Sequence, residues 1–207
     1  MTRYHQTTSG HRRLVLTIAF TTALVLATGL LGTVATAAGA SPPKLKAMLL
    51  SIGQMPTGWG VYNEPSNGLG CLANVLEPKG IKQTAKASVE FVDNGSFPAV
   101  VERLATFTNA KAAYKKIDAN LTACRHLSGT TGGQKFSGTV GQMSFPHYGN
   151  ESAAFWANFT IQGAKYGEDL LIVRKGGIVM GMDEGDFAPV NVRQFQSFVK
   201  KAIKKVV

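Results

Sequence analysis

Cys71 and Cys124 are the two cysteines of this 207-residue chain. Thiols exchange electrons, hold zinc or close a disulfide, but a redox pair shows C-x-x-C spacing, and zinc needs further sulfur or nitrogen ligands close by. These two stand 53 residues apart. The histidines beyond the first forty residues, His126 and His147, have no second histidine, cysteine or carboxylate at metal-ligand spacing, and they read as surface or loop residues. No G-x-S-x-G elbow occurs, and Gly129, Gly132 and Gly133 lack the lysine-serine ending of a phosphate loop. The compact acidic cluster, Asp183-Glu184-Gly185-Asp186, could hold calcium weakly but lacks the ligand spacing of an EF-hand. It reads as a solvated turn before the last helix. Lys200, Lys201, Lys204 and Lys205 could meet anionic lipid or polymer, and they also complement the dipole at a helix C-terminus. Trp59, Phe155, Trp156 and Phe159 could line an apolar pocket, but Phe155 and Phe159 fall in phase with Ala153, Ala157 and Ile161 and read as core. These residue types assign no catalytic residue, no metal ligand and no cofactor.

The elements that must position these residues follow from periodicity. Ser41 before Pro42 and Pro43 marks a helix start, with the serine placed to accept a backbone N–H bond. Trp59–Tyr62 reads as a short strand and Asn63–Gly70 as a loop. Ala85, Ala87, Val89 and Phe91 alternate on one face of a strand, a turn at Asn94-Gly95-Ser96 follows, and Val100–Phe107 returns antiparallel. Thr108 or Asn109 caps a helix reaching from Ala110 to Leu127 at its widest, with Ala113, Tyr114, Ile117, Leu121 and Cys124 on one stripe. Strands are expected within Lys135–Phe145, over Ser152–Gln162, and over Asp169–Lys175 and Ile178–Met182, the last two joined at Gly176-Gly177. Val192, Phe195, Phe198, Val199, Ala202, Ile203 and Val206 make the final helix amphipathic. Strand runs bracketed by helices, without crossover units, imply an α+β domain: one antiparallel sheet with helices packed on one face.

The start of the chain sets the compartment. Arg3, Arg12 and Arg13 precede the uncharged apolar run Leu14–Ala35, and small residues follow. This order is that of a secretory signal, with cleavage after Ala40 favoured over cleavage after Ala37. The run is also long enough to remain as an anchor if uncut. Residues 1–40 are therefore read as a signal peptide and 41–207 as one secreted domain. The three arginines leave with the signal, lowering the formal net charge from +10 to about +7. The remaining charge is moderate and scattered, which suits a soluble exported domain and gives no reason to expect nucleic acid as a partner. In an oxidising compartment Cys71 and Cys124 are expected to form a disulfide.

The passages LLSIGQMPTGW (Leu49–Trp59), LATFTNAKAAYKKIDANLTAC (Leu104–Cys124), GNESAAFW (Gly149–Trp156) and DLLIVRKGGIVMGM (Asp169–Met182) resemble actinobacterial secreted and lipoprotein sensor-type domains. These include the PknH-like extracellular domain of transmembrane serine/threonine kinases. The resemblance covers most of residues 44–205 and implies an antiparallel sheet with helices and a cleft for an unidentified ligand. That family carries two disulfides, whereas this chain has cysteines for one. The P-T-G-W opening is also similar to lipoproteins of PsbP-like fold. Neither family supplies a functional residue that maps onto this chain. The expectation is a monomeric, non-enzymatic, extracytoplasmic binding or sensor-type module for a small-molecule or cell-envelope ligand. The alternatives are a membrane-surface protein using the basic final helix and an enzyme with a dispersed site.

Overall fold

In the computed structural model, which describes residues 40–63 and 68–207, eight antiparallel strands form one sheet flanked by three helices. In chain order these are α1 (Pro42–Met48), β1 (Trp59–Tyr62), β2 (Gln83–Asp93), β3 (Ala99–Phe107), α2 (Ala110–Ala123), β4 (His126–Thr131), β5 (Gln134–Met143), β6 (Glu151–Ile161), β7 (Ala164–Lys175), β8 (Ile178–Phe187) and α3 (Val192–Lys205). The strands lie in the order β1-β2-β3-β8-β7-β6-β5-β4. The last hairpin, β7–β8, is therefore central: β8 inserts beside β3 and joins an N-terminal three-stranded meander to a C-terminal four-stranded one. Residues 1–39, which hold the apolar run Leu14–Ala35 and all but the last residue of the expected signal segment, lie outside the described residues.

The expectation that the helices share one face is overturned. Leu171, Val173, Met180 and Met182 pack with Leu45 of α1 and with Phe195, Phe198 and Val199 of α3. Their neighbours along the strands, Leu170, Ile172 and Val179, pack with Tyr114, Ile117 and Leu121 of α2. Successive strand residues point to opposite faces, so α1 and α3 cover one face and α2 the other. The continuous apolar runs LLIV and IVM are what a strand buried on both sides requires.

Local structure follows the expected chemistry with identifiable departures. Asn109 caps α2, its Oδ1 accepting the Ala112 N–H at 2.9 Å. Ser41 occupies the N-cap of α1 without a side-chain capping bond, and Pro42 and Pro43 offer no N–H at the first two helical positions. The middle helix stops at Ala123, short of Leu127, because His126 already pairs with Thr139 to begin β4. Gln162 and Gly163 both take positive φ in the tight β6–β7 turn, the geometry a two-residue hairpin demands.

Cys71 and Cys124 form the expected disulfide, with Cα atoms 6.0 Å apart. It fastens the 3-10 turn Gly70–Leu72 to the end of α2. On the opposite face, Glu102 is fully buried and accepts the Leu50 N–H at 2.6 Å, tying the segment after α1 to β3. Burial raises its carboxyl to about 7, although the Leu50 bond and the nearby Lys205 ammonium both favour the charged form.

Candidate functional site

α2 is a 14-residue helix and covers the part of its sheet face formed by Ala105, Phe155, Ala157, Leu170, Ile172 and Val179. β3, β7 and β8 extend beyond it. Over their far ends lies an open cavity of about 500 Å³. Its floor is made by side chains of one parity: Glu90 and Val92 from β2, Ala99 and Val101 from β3, Asp183 and Gly185 from β8, and Glu168 from β7. Tyr62, Phe97, Phe159, Ile161 and Tyr166 also line it, as do Leu69 and Thr131.

The floor is acidic. Register places Glu90 opposite Val101 and Val101 opposite Asp183, while Glu168 lies opposite Gly185 in the adjoining row. Glu168 and Asp183 are therefore diagonal cross-strand neighbours, within reach of each other's charge. Arg103 donates from Nη1 to Asp183 Oδ1, and both side chains are largely buried. Burial raises the Asp183 carboxyl, and the Arg103 guanidinium opposes that rise. Glu168 is pushed up to about 8, first by burial and then by the Asp183 charge, with Arg103 opposing and Asp169 adding.

The rim is aromatic. Phe97 packs on Tyr166 at 5.6 Å between ring centroids and on Phe187 at 5.5 Å. Tyr166 also stacks on Phe159 and Phe187, at 5.6 and 5.3 Å. Phe97 and Phe187 nevertheless remain 41% and 56% exposed. A group of exposed aromatic rings beside a cavity is the kind of surface that marks a binding site.

The acidic cluster expected to be a solvated turn lies in the sheet. β8 continues to Phe187, pairs with β3 and β7, and sends Asp183 and Glu184 to opposite faces. Glu184 is fully buried beside Asp169 on the face covered by α1 and α3, and neither Glu184 oxygen nor Asp169 Oδ2 has a hydrogen-bond partner among the described residues. Burial, then Asp169 and Asp186, raises Glu184 to about 8, and burial raises Asp169 to about 6.

The other expected residues are dispersed. Trp59 and Phe155 are core, whereas Phe159 lines the cavity. His126 is exposed in β4. His147 Nδ1 lies 3.3 Å from Ser152 Oγ, which also accepts the Tyr148 N–H at 3.1 Å. No carboxylate among the described residues orients that imidazole, so the contact is a loop fastening rather than a nucleophile with its base. Of the four lysines on α3, Lys200 and Lys204 are exposed. Lys201 donates to Gln54 O at 2.7 Å, and Lys205 donates to Leu49 O. No group of three or more potential metal ligands occurs among the described residues.

Glu90, Glu168, Phe97 and Tyr166 were not singled out from the sequence. The available signal was the interruption of otherwise apolar strand runs by carboxylates, which a central strand tolerates only at special sites.

No protein-family model matches this chain. No curated protein matches it either. Among solved structures it is similar to the crystal structure of the extracellular domain of PknH from Mycobacterium tuberculosis, with a TM-score of 0.63 over 81% of this chain and 96% of that one. The two sequences are 13% identical, so the likeness is one of architecture: this chain has a PknH-like extracellular-domain fold.

Proposed function

We propose that this chain is a non-enzymatic extracytoplasmic module of sensor type, which takes a small ligand in the cavity beyond α2. The cavity itself carries the reading: about 500 Å³ of open space, apolar walls and a few convergent polar groups match the make-up of ligand sites. The fold shared with an extracellular domain and the signal-like start of the chain support the extracytoplasmic setting. The disulfide agrees with it. The basic helix α3 supports a membrane-surface role less well, since Lys201 and Lys205 are engaged in holding α3 to the segment after α1.

Gly185 provides the test. A β-carbon there would meet nothing closer than Phe97 at 3.8 Å, so Gly185→Val places two methyl groups in the cavity without a backbone clash. Native mass spectrometry of the protein recovered from culture medium should show a bound small molecule on the wild type and none on Gly185→Val. Equal loading of the two would refute the assignment of the cavity.

A further inference from the structure

Resting on that reading, we propose that the cavity takes an organic ammonium ion with an apolar body, the ammonium group seated at Glu168, Asp183 and Glu90 and the body against Phe97, Phe159 and Tyr166. Charge is the first argument. The chain is basic overall, with a formal net charge of +10, yet the cavity is lined by Glu90, Glu168, Asp183 and Asp186 and by no lysine or arginine among the described residues. Arg103 reaches the floor from beside it and holds Asp183. Glu168 has neither a hydrogen bond nor an ion pair among the described residues, although it sits on a sheet face next to another acid. A cation seated beside it would favour its carboxylate form, an anion would oppose that form, and a neutral apolar molecule would act on neither.

The walls supply the second argument. Phe97, Phe159 and Tyr166 line the cavity beside the acidic floor, and with Phe187 they form a continuous set of ring contacts. Aromatic faces attract cations through the ring quadrupole and bury hydrocarbon at the same time. A metal ion would use the carboxylates but not the rings, and an inorganic cation would leave most of the cavity unfilled. The combination fits a monoalkyl or arylalkyl ammonium.

Binding carries a proton balance. Burial and the neighbouring Asp183 hold Glu168 protonated in the empty cavity at neutral pH. Seating an ammonium ion favours its carboxylate, so up to one proton passes from Glu168 to the buffer. The charged groups acting on Glu168 are Asp183 of β8 and Arg103 of β3, with Asp169 adjacent on β7; Glu90 of β2, Asp186 of β8 and the phenols of Tyr62 and Tyr166 line the same cavity.

The test uses three probes of one shape, 4-phenylbutylamine, 4-phenylbutanol and 4-phenylbutyrate, titrated into the disulfide-bonded protein and followed by amide chemical shifts. The amine should bind about tenfold more tightly than the alcohol, as expected for one charge-assisted contact, and the carboxylate should not bind. Glu168→Gln should remove that advantage while leaving the affinity for the alcohol unchanged. Phe97→Ala, at an exposed position, should weaken both. Calorimetry in buffers of different ionisation heat should show proton release with the amine alone. Equal affinity for amine and alcohol, or an amine affinity insensitive to Glu168→Gln, would overturn the ammonium assignment and leave the ligand-binding reading standing. No cavity amide shifting with any probe would overturn both.

Discussion

Glu184→Gln should stabilise the protein, increasingly so as pH rises. Glu184 is fully buried, Asp169 lies directly opposite it on β7, and neither of its oxygens has a partner among the described residues. Its carboxyl is raised from 4.5 to about 8. The folded state thus keeps a proton that the unfolded chain releases, and stability falls as pH climbs from about 4.5 to about 8. At ~1.4 kcal/mol per unit the full window corresponds to roughly 5 kcal/mol, an upper bound because Asp169 titrates within it and shares the cost. The glutamine amide removes the titration at nearly constant shape and offers an N–H donor to Asp169 Oδ2. We expect a gain of about 2 kcal/mol at pH 8 and close to none at pH 4, or about 6 °C in Tm at the higher pH. Urea melts of wild type and Glu184→Gln at pH 4.5, 6 and 8 measure this directly. A difference that is the same at every pH would refute the linkage, as would a wild type more stable at pH 8.

Three further outcomes follow from the fold. Replacing both Cys71 and Cys124 by alanine should cost about 4 kcal/mol in chemical denaturation, the chain-entropy value for a closed loop of this length, with unchanged sheet content by circular dichroism. Gly138→Ala should cost about 3 kcal/mol or more, since its β-carbon would lie 2.3 Å from the Asn158 carbonyl oxygen of the paired strand, and the far-ultraviolet melt should report it. The α3 lysines should separate into two classes: Lys201→Gln with Lys205→Gln lowers Tm by several degrees by releasing Gln54 O and Leu49 O, whereas Lys200→Gln with Lys204→Gln leaves Tm within about a degree.

Much of the architecture is legible in local patterns. The alternation of Ala85, Ala87, Val89 and Phe91, the stripe from Ala113 to Cys124 and the Gly176-Gly177 turn each specify their element, because periodicity and turn chemistry are short-range properties. β4 escaped because HLSGTT is an edge strand with Leu127 as its single buried side chain. The far half of β8 reads as a turn in the sequence because its carboxylates resemble solvated residues until both neighbouring strands are known. The two-sided helix packing is implied by the unbroken apolar runs of β7 and β8, a signal that alternation alone overlooks. The cavity has no sequence signature: its lining runs from Tyr62 to Asp186, and only strand order brings Glu90, Asp183 and Glu168 onto one floor.

The central claim is that the open end of the sheet beyond α2 is where this protein meets its ligand. Amide chemical-shift mapping with a small-molecule extract of the cell envelope tests it most directly. The account predicts shifts confined to Val101, Phe159, Ile161, Glu168 and Gly185 and abolished by Gly185→Val. Shifts clustered instead on the Lys200 and Lys204 side of α3, or surviving Gly185→Val, would contradict it.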